Sequence, residues 1–128
     1  MKAIKPQTAK GTAERFKGNV YPTTIFTGQE PSRVRMASVH FEPGARTAWH
    51  SHAVGQYIYV IEGNAYVQER GGERKVLKPG ETIYTEPGVE HWHGATPDSF
   101  MVHIVVWEAP QPDSGQEESV WLEHVIDE

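Results

Sequence analysis

The chain contains no cysteine. Disulfides, thiolate metal sites and cysteine nucleophiles are thereby excluded, and any metal has to be held by histidine, carboxylate or amide oxygen. No apolar run approaches the length of a membrane span, so no membrane partner is expected. The opening residues, MKAIKPQTAK, lack the apolar stretch of a secretory signal, and on that ground the cytoplasm is the expected compartment. Lysine and arginine are missing from Glu108 to the C-terminus, where Glu108, Asp113, Glu117, Glu118, Glu123, Asp127 and Glu128 all lie. Residues 1–20 have the opposite bias, with Lys2, Lys5, Lys10, Arg15 and Lys17 against Glu14 alone. A basic arm can serve nucleic acid, but the protein as a whole carries a net charge of −5, and no nucleic-acid partner is expected. The two oppositely charged ends would instead help two copies pair.

Long segments of 3.6-residue period are also missing, and what is present is β-like. RVRMASVHF alternates, with Ala37, Val39 and Phe41 on one side, and EPGAR supplies a turn. TAWHSH is a short strand candidate. QYIYVIEG is β-branched and aromatic and ends at Gly63-Asn64. AYVQER runs through GGE into a hairpin. ETIYTEPG and VEHWHGA are short strands around a further Pro-Gly turn, and SFMVHIVVWE is the most continuous strand signal. APQPDSGQEES reads as a polar linker, and VWLEHVIDE as a short terminal helix or strand. A chain of 128 residues is one domain by size. The expectation is an all-β single domain over 1–128, a small barrel or jelly roll, with its core at about 33–108. An N-terminal arm over 1–20 and an acidic tail over 109–128 would flank it.

Histidine carries the chemistry. Seven histidines placed at random would give roughly a third of one His-x-His pair. This chain has two, His50/His52 and His91/His93, each near a Pro-Gly turn. Residues i and i+2 of a strand share a face, about 7 Å apart, which suits two imidazoles converging on one ion. Gln56 opens the next strand, in phase with Ile58 and Val60. His103 is in phase with Met101, Val105 and Trp107. The alternative for each is a hydrogen-bonded surface or core histidine. His40 and His124 read as surface residues and Arg46 as a solvated turn charge. Tyr57, Tyr59 and Ile61 are out of phase with Gln56 and form an apolar outer face, which predicts a homodimer or higher homo-oligomer.

GARTAWHSHAVGQYIYVIEG, Gly44 to Gly63, resembles the first cupin motif in every spacing, with Gln56 in its acidic position. GETIYTEPGVEHWHGA, Gly80 to Ala95, resembles the second, departing from it at Glu86 and Ala95. SVHFEPGARTAWHSH, HWHGA, MVHI and WLEHV together are similar to the small bacterial manganese-dependent hydroxynitrile lyase cupins. That resemblance implies metal ligation by His50, His52, Gln56 and His91, acid/base work by His103, and a place for His93 in the pocket as a second catalytic histidine. It also implies manganese, although nitrogen and oxygen donors equally accept Fe, Zn, Ni or Co.

A neutral glutamine leaves a divalent ion its full formal charge, which favours Lewis-acid chemistry over redox turnover. The function this implies is a metal-dependent lyase acting on a small-molecule carbonyl adduct, such as cyanohydrin to aldehyde plus cyanide. His103 would act near its ordinary pKa, and Val39, Phe41, Ile58, Met101 and Trp107 would line the pocket. A cupin dioxygenase acting on an enolisable substrate and a non-catalytic ligand-binding cupin are the alternatives. His103 is alternatively a core histidine bonded to a backbone carbonyl, and His93 a brace for His91.

Overall fold

The structure, a computed structural model, describes residues 1–126; Asp127 and Glu128 of the predicted acidic tail lie outside the described residues. Among the described residues there is no helix. Twelve strands follow one another: β1 (Phe16–Lys17), β2 (Val20–Thr27), β3 (Val34–Phe41), β4 (Arg46–Thr47), β5 (His50–His52) and β6 (Gln56–Gly63). Then come β7 (Ala65–Glu69), β8 (Lys75–Leu77), β9 (Thr82–Thr85), β10 (His91–Ala95), β11 (Met101–Glu108) and β12 (Ser119–Trp121).

One sheet runs β2-β3-β11-β6-β9. The other runs β1-β4-β10-β5-β12, with β7 also paired to β10 and β8 to β7. Burial alternates along β6 and β11 with period two, as it must when one face of a sheet is packed and the other is not. The inward residues Val20, Ala37, Val39, Phe41, Ile58, Val60, Met101 and Val105 meet Ala65 and Ala95 of the second sheet, and Ala45 just before β4, to form one core. Their apolar side chains leave water on closure of the two sheets, and this is the main term holding the fold.

Strands extend beyond the predicted 33–108 span on both sides. β2 brings a fully buried Val20 into the core. Its alternation is masked in sequence by Thr23, Thr24 and Pro22, and Pro22 is tolerated because β2 is an edge strand. Upstream of it, Thr8 bridges to Thr23, so part of the predicted arm lies against the sheet. β12, at the end of the predicted linker, pairs with β5.

Arg46 corrects the reading of a solvated turn charge. It sits in β4, is buried, and places its guanidinium 4.7 Å over the ring of Trp92. A β-bulge between β6 and β11 falls at Val102/His103, where it re-aims the side chains at the inner end of the cavity.

Gly94 shows how close the packing is near the site. It pairs with Arg46, and a Cβ placed on it would lie 2.5 Å from the Ala45 carbonyl oxygen and 2.7 Å from Arg46 Cα. Both are backbone atoms, which cannot swing aside. Gly94→Ala is therefore expected to destabilise the protein by about 1–3 kcal/mol, read as a lower thermal midpoint; an unchanged midpoint would contradict the close β4–β10 approach.

Candidate metal centre

β5 presents His50 and His52 on the same, inner face, and the β5–β10 register sets His91 directly opposite His50. Gln56, the first residue of β6, closes the group. All four side chains are buried, as are His93 and His103.

The ring nitrogens are sorted by what they face. Nδ1 of His50 is 2.9 Å from the Ala48 carbonyl oxygen, and Nδ1 of His91 is 3.0 Å from that of Val89. A carbonyl can only accept, so each Nδ1 carries the proton and each Nε2 keeps a lone pair. Nδ1 of His52 lies 2.9 Å from Ser119 Oγ, while its buried Nε2 has no hydrogen-bond partner. Nε2 of His91 lies 3.0 Å from Oε1 of Gln56. Two acceptor atoms this close repel unless a positive charge lies beside them. The donor set therefore fits a divalent cation.

Electrostatics agree. Burial is the first cause that holds the pKa of each imidazole below the ordinary value, so all are neutral at pH 7, the state a metal requires. For His50, the neighbouring His91 and His52 lower it further. His52 is brought down to about 3 by burial and by His91, with the Gln56 amide acting weakly in the opposite direction. No carboxylate belongs to the group, so a bound divalent ion would keep its full charge.

Among the described residues, the histidines with ligand atoms all within 4.8 Å of one another are His50, His91 and His93. His52 stands just outside that triple, its ring centroid 5.1 Å from His50 and 5.6 Å from His91. His93 is otherwise engaged: its Nδ1 is 2.8 Å from Nε2 of His103. It stacks near His91 at 5.8 Å, and its hydrogen-bond partner is His103. His103 is fully buried against Phe41, with ring centroids 5.0 Å apart, and its Nδ1 is unpartnered. The expectation of a histidine near its ordinary pKa is corrected here: burial brings His103 down to about 4.

A cavity of about 630 Å³ opens onto His50, His52, Gln56 and His93. Of the predicted pocket residues, Val39 and Trp107 line it. Phe41 and Met101 share their parity but are fully buried behind the histidines, and Ile58 borders a different cavity, on the His91 side. The alternation is right, but parity fixes a face and not a height along the barrel. Sequence reasoning missed Phe16, Pro22 and Trp121, which also line the cavity. Trp121 stacks on His50 at 4.3 Å and 18°. The only hint of Phe16 and Trp121 was their aromatic character within the predicted arm and tail, and Pro22 carried none. His40 is half exposed beside Glu42, and His124 is exposed and bonds the Ala13 carbonyl.

Residues 37–108 match the cupin domain family. The chain is a cupin. This cupin is 40% identical over 121 residues to the (R)-mandelonitrile lyase of Granulicella tundricola, covering 94% of this chain and 89% of the relative. It is also similar to the solved structure of a cupin-like protein from Thermotoga maritima, at 38% identity and TM-score 0.84, covering 98% and 92% of the two chains. The polyketide cyclase RemF from Streptomyces resistomycificus shares the fold at TM-score 0.71 and 22% identity, with 96% and 87% covered. The cupin has no helix among its described residues long and apolar enough to cross a membrane.

Proposed function

We propose that this cupin holds one divalent cation, manganese by resemblance, through His50, His52, Gln56 and His91, and that it cleaves or forms the C–C bond of a cyanohydrin. The observation that carries the reading is the buried, carboxylate-free donor set, in a chain 40% identical to a protein named (R)-mandelonitrile lyase. When bound, the cation supplies Lewis-acid polarisation of a substrate oxygen.

The rest falls to the protein's own side chains. His93 faces the cavity, and its Nε2 is buried without a partner. With His93 Nδ1–H donating to His103 Nε2, that free Nε2 has the lone pair needed to accept the cyanohydrin hydroxyl proton. The C–C bond then breaks, its electron pair leaves as cyanide, and the carbonyl forms. The proton returns from His93 to cyanide. His103 holds His93 in the receptive tautomer and shares the charge that develops. Phe16, Val39, Val105, Trp107 and Trp121 surround the substrate with apolar surface and exclude water from the leaving cyanide. The cavity is within the ordinary range for a small-molecule site and suits an aryl substituent.

The same reading assigns a second copy to the outer face of the first sheet, supported by Tyr57, Tyr59, Ile61 and Tyr84, which are exposed side by side on β6 and β9.

The test is aldehyde release from mandelonitrile by metal-analysed protein. Release above the uncatalysed rate is expected, lost on chelation and restored by Mn²⁺. Background release from fully metal-loaded protein would refute the lyase reading.

A further inference from the structure

Resting on the metal reading above, we propose that Ser119 on β12 is a positioning residue for the cation centre, its hydroxyl accepting the Nδ1–H of His52 so that the lone pair sits on Nε2.

The three ligand imidazoles are not held alike. His50 and His91 each place Nδ1 against the carbonyl two residues earlier in the chain, Ala48 and Val89. Those acceptors belong to the local backbone and permit one neutral tautomer only. His52 has no such lock. Its Nδ1 partner, Ser119 Oγ at 2.9 Å, arrives from 67 residues away. It does so because Ser119 is the cross-strand partner of His52 in the β12–β5 pairing.

A hydroxyl can donate as well as accept. Were it to donate, His52 would carry its proton on Nε2, the buried nitrogen that has no partner in the protein, and would aim an N–H at the cation position. One tautomer of one ring thus separates a competent donor set from a blocked one, and Ser119 chooses between them. A group that fixes the tautomer of a ligating histidine typically contributes 10–100-fold to metal affinity.

β12 itself does not depend on this hydroxyl. Ala53 N–H donates to the Glu118 carbonyl at 3.1 Å, and Leu122 N–H to that of Trp49 at 2.8 Å. The Glu118 carboxylate accepts the Trp107 indole N–H at 2.7 Å and lies 3.4 Å from Arg35. Trp121 rests on the His50 ring. Removing the Ser119 oxygen therefore deletes one hydrogen bond and leaves the strand in place.

The experiment compares wild type, Ser119→Ala and Ser119→Thr by calorimetric titration with Mn²⁺ and by ¹⁵N NMR of the histidine rings in metal-free protein. Wild type is expected to show His52 protonated on Nδ1. The alanine variant is expected to show a tautomer mixture and Mn²⁺ binding about 10–100-fold weaker, and threonine, which keeps the hydroxyl, is expected to restore both. Alanine with wild-type affinity and tautomer would overturn the proposal, as would threonine failing to rescue. If wild type takes up no Mn²⁺, the metal reading falls on its own. The ring spectra then decide the role of Ser119: Nδ1 protonation lost in alanine supports it, and no change overturns it.

Discussion

Replacing His103 by alanine is expected to lower cyanohydrin cleavage by about 10²–10⁴-fold while leaving the bound metal in place. The side chain lies outside the donor set, fully buried, with its Nε2 2.8 Å from His93 Nδ1. Removing it leaves His93 Nδ1 without a partner, so His93 is free to carry its proton on Nε2, where it can no longer take one from substrate. The loss should fall on kcat more than on KM, because the proton moves only as the bond breaks. Metal content and steady-state rates of the same sample check it. A binding protein without catalytic function would keep its ligand affinity in this variant. A variant that lost metal along with rate would place His103 in the ligand shell instead.

Acid should be the second large effect. Metal-free protein is expected to lose stability steeply as pH falls below about 6.5. The sign follows from the folded-state values: His52 at about 3 and His103 at about 4 both lie below the unfolded value of 6.5. On acidification the unfolded chain takes up protons first, so stability that is fully present above 6.5 is lost as pH approaches the folded-state values. In full the loss is on the order of 4 kcal/mol for each of the two residues. His50, His91 and His93 are lowered in the same direction, also by burial first. Against a total stability of about 5–15 kcal/mol this is a large share of what keeps the metal-free chain folded. Tryptophan fluorescence and circular dichroism of chelator-treated protein between pH 7.5 and 3.5 would follow it. A melting temperature flat across pH 7 to 4 would show that the histidines are not desolvated as the structure has them.

These two effects come from facts the sequence holds unequally. The turns at Pro43-Gly44 and Pro87-Gly88 were legible, because glycine's left-handed backbone is a local property, and both glycines have positive φ. The two His-x-His pairs were legible for the same reason, since alternation alone puts each pair on one face. Long-range facts were not legible. The cover over His50 and His52 comes from Ser119 and Trp121, which follow a polar stretch that carries no strand signal. Arg46 is buried with its guanidinium over the Trp92 ring, 46 residues further along, and nothing near Arg46 in the chain announces that. The depth of His103, and hence its low pKa, depends on Phe41 and on how the second sheet closes over β11.

The most direct test is diffraction at the manganese absorption edge from crystals grown with Mn²⁺. A single anomalous peak is expected in direct contact with Nε2 of His50, His52 and His91 and with Oε1 of Gln56. No peak, or a peak held by His50, His91 and His93 with His52 and Gln56 turned away, would contradict it.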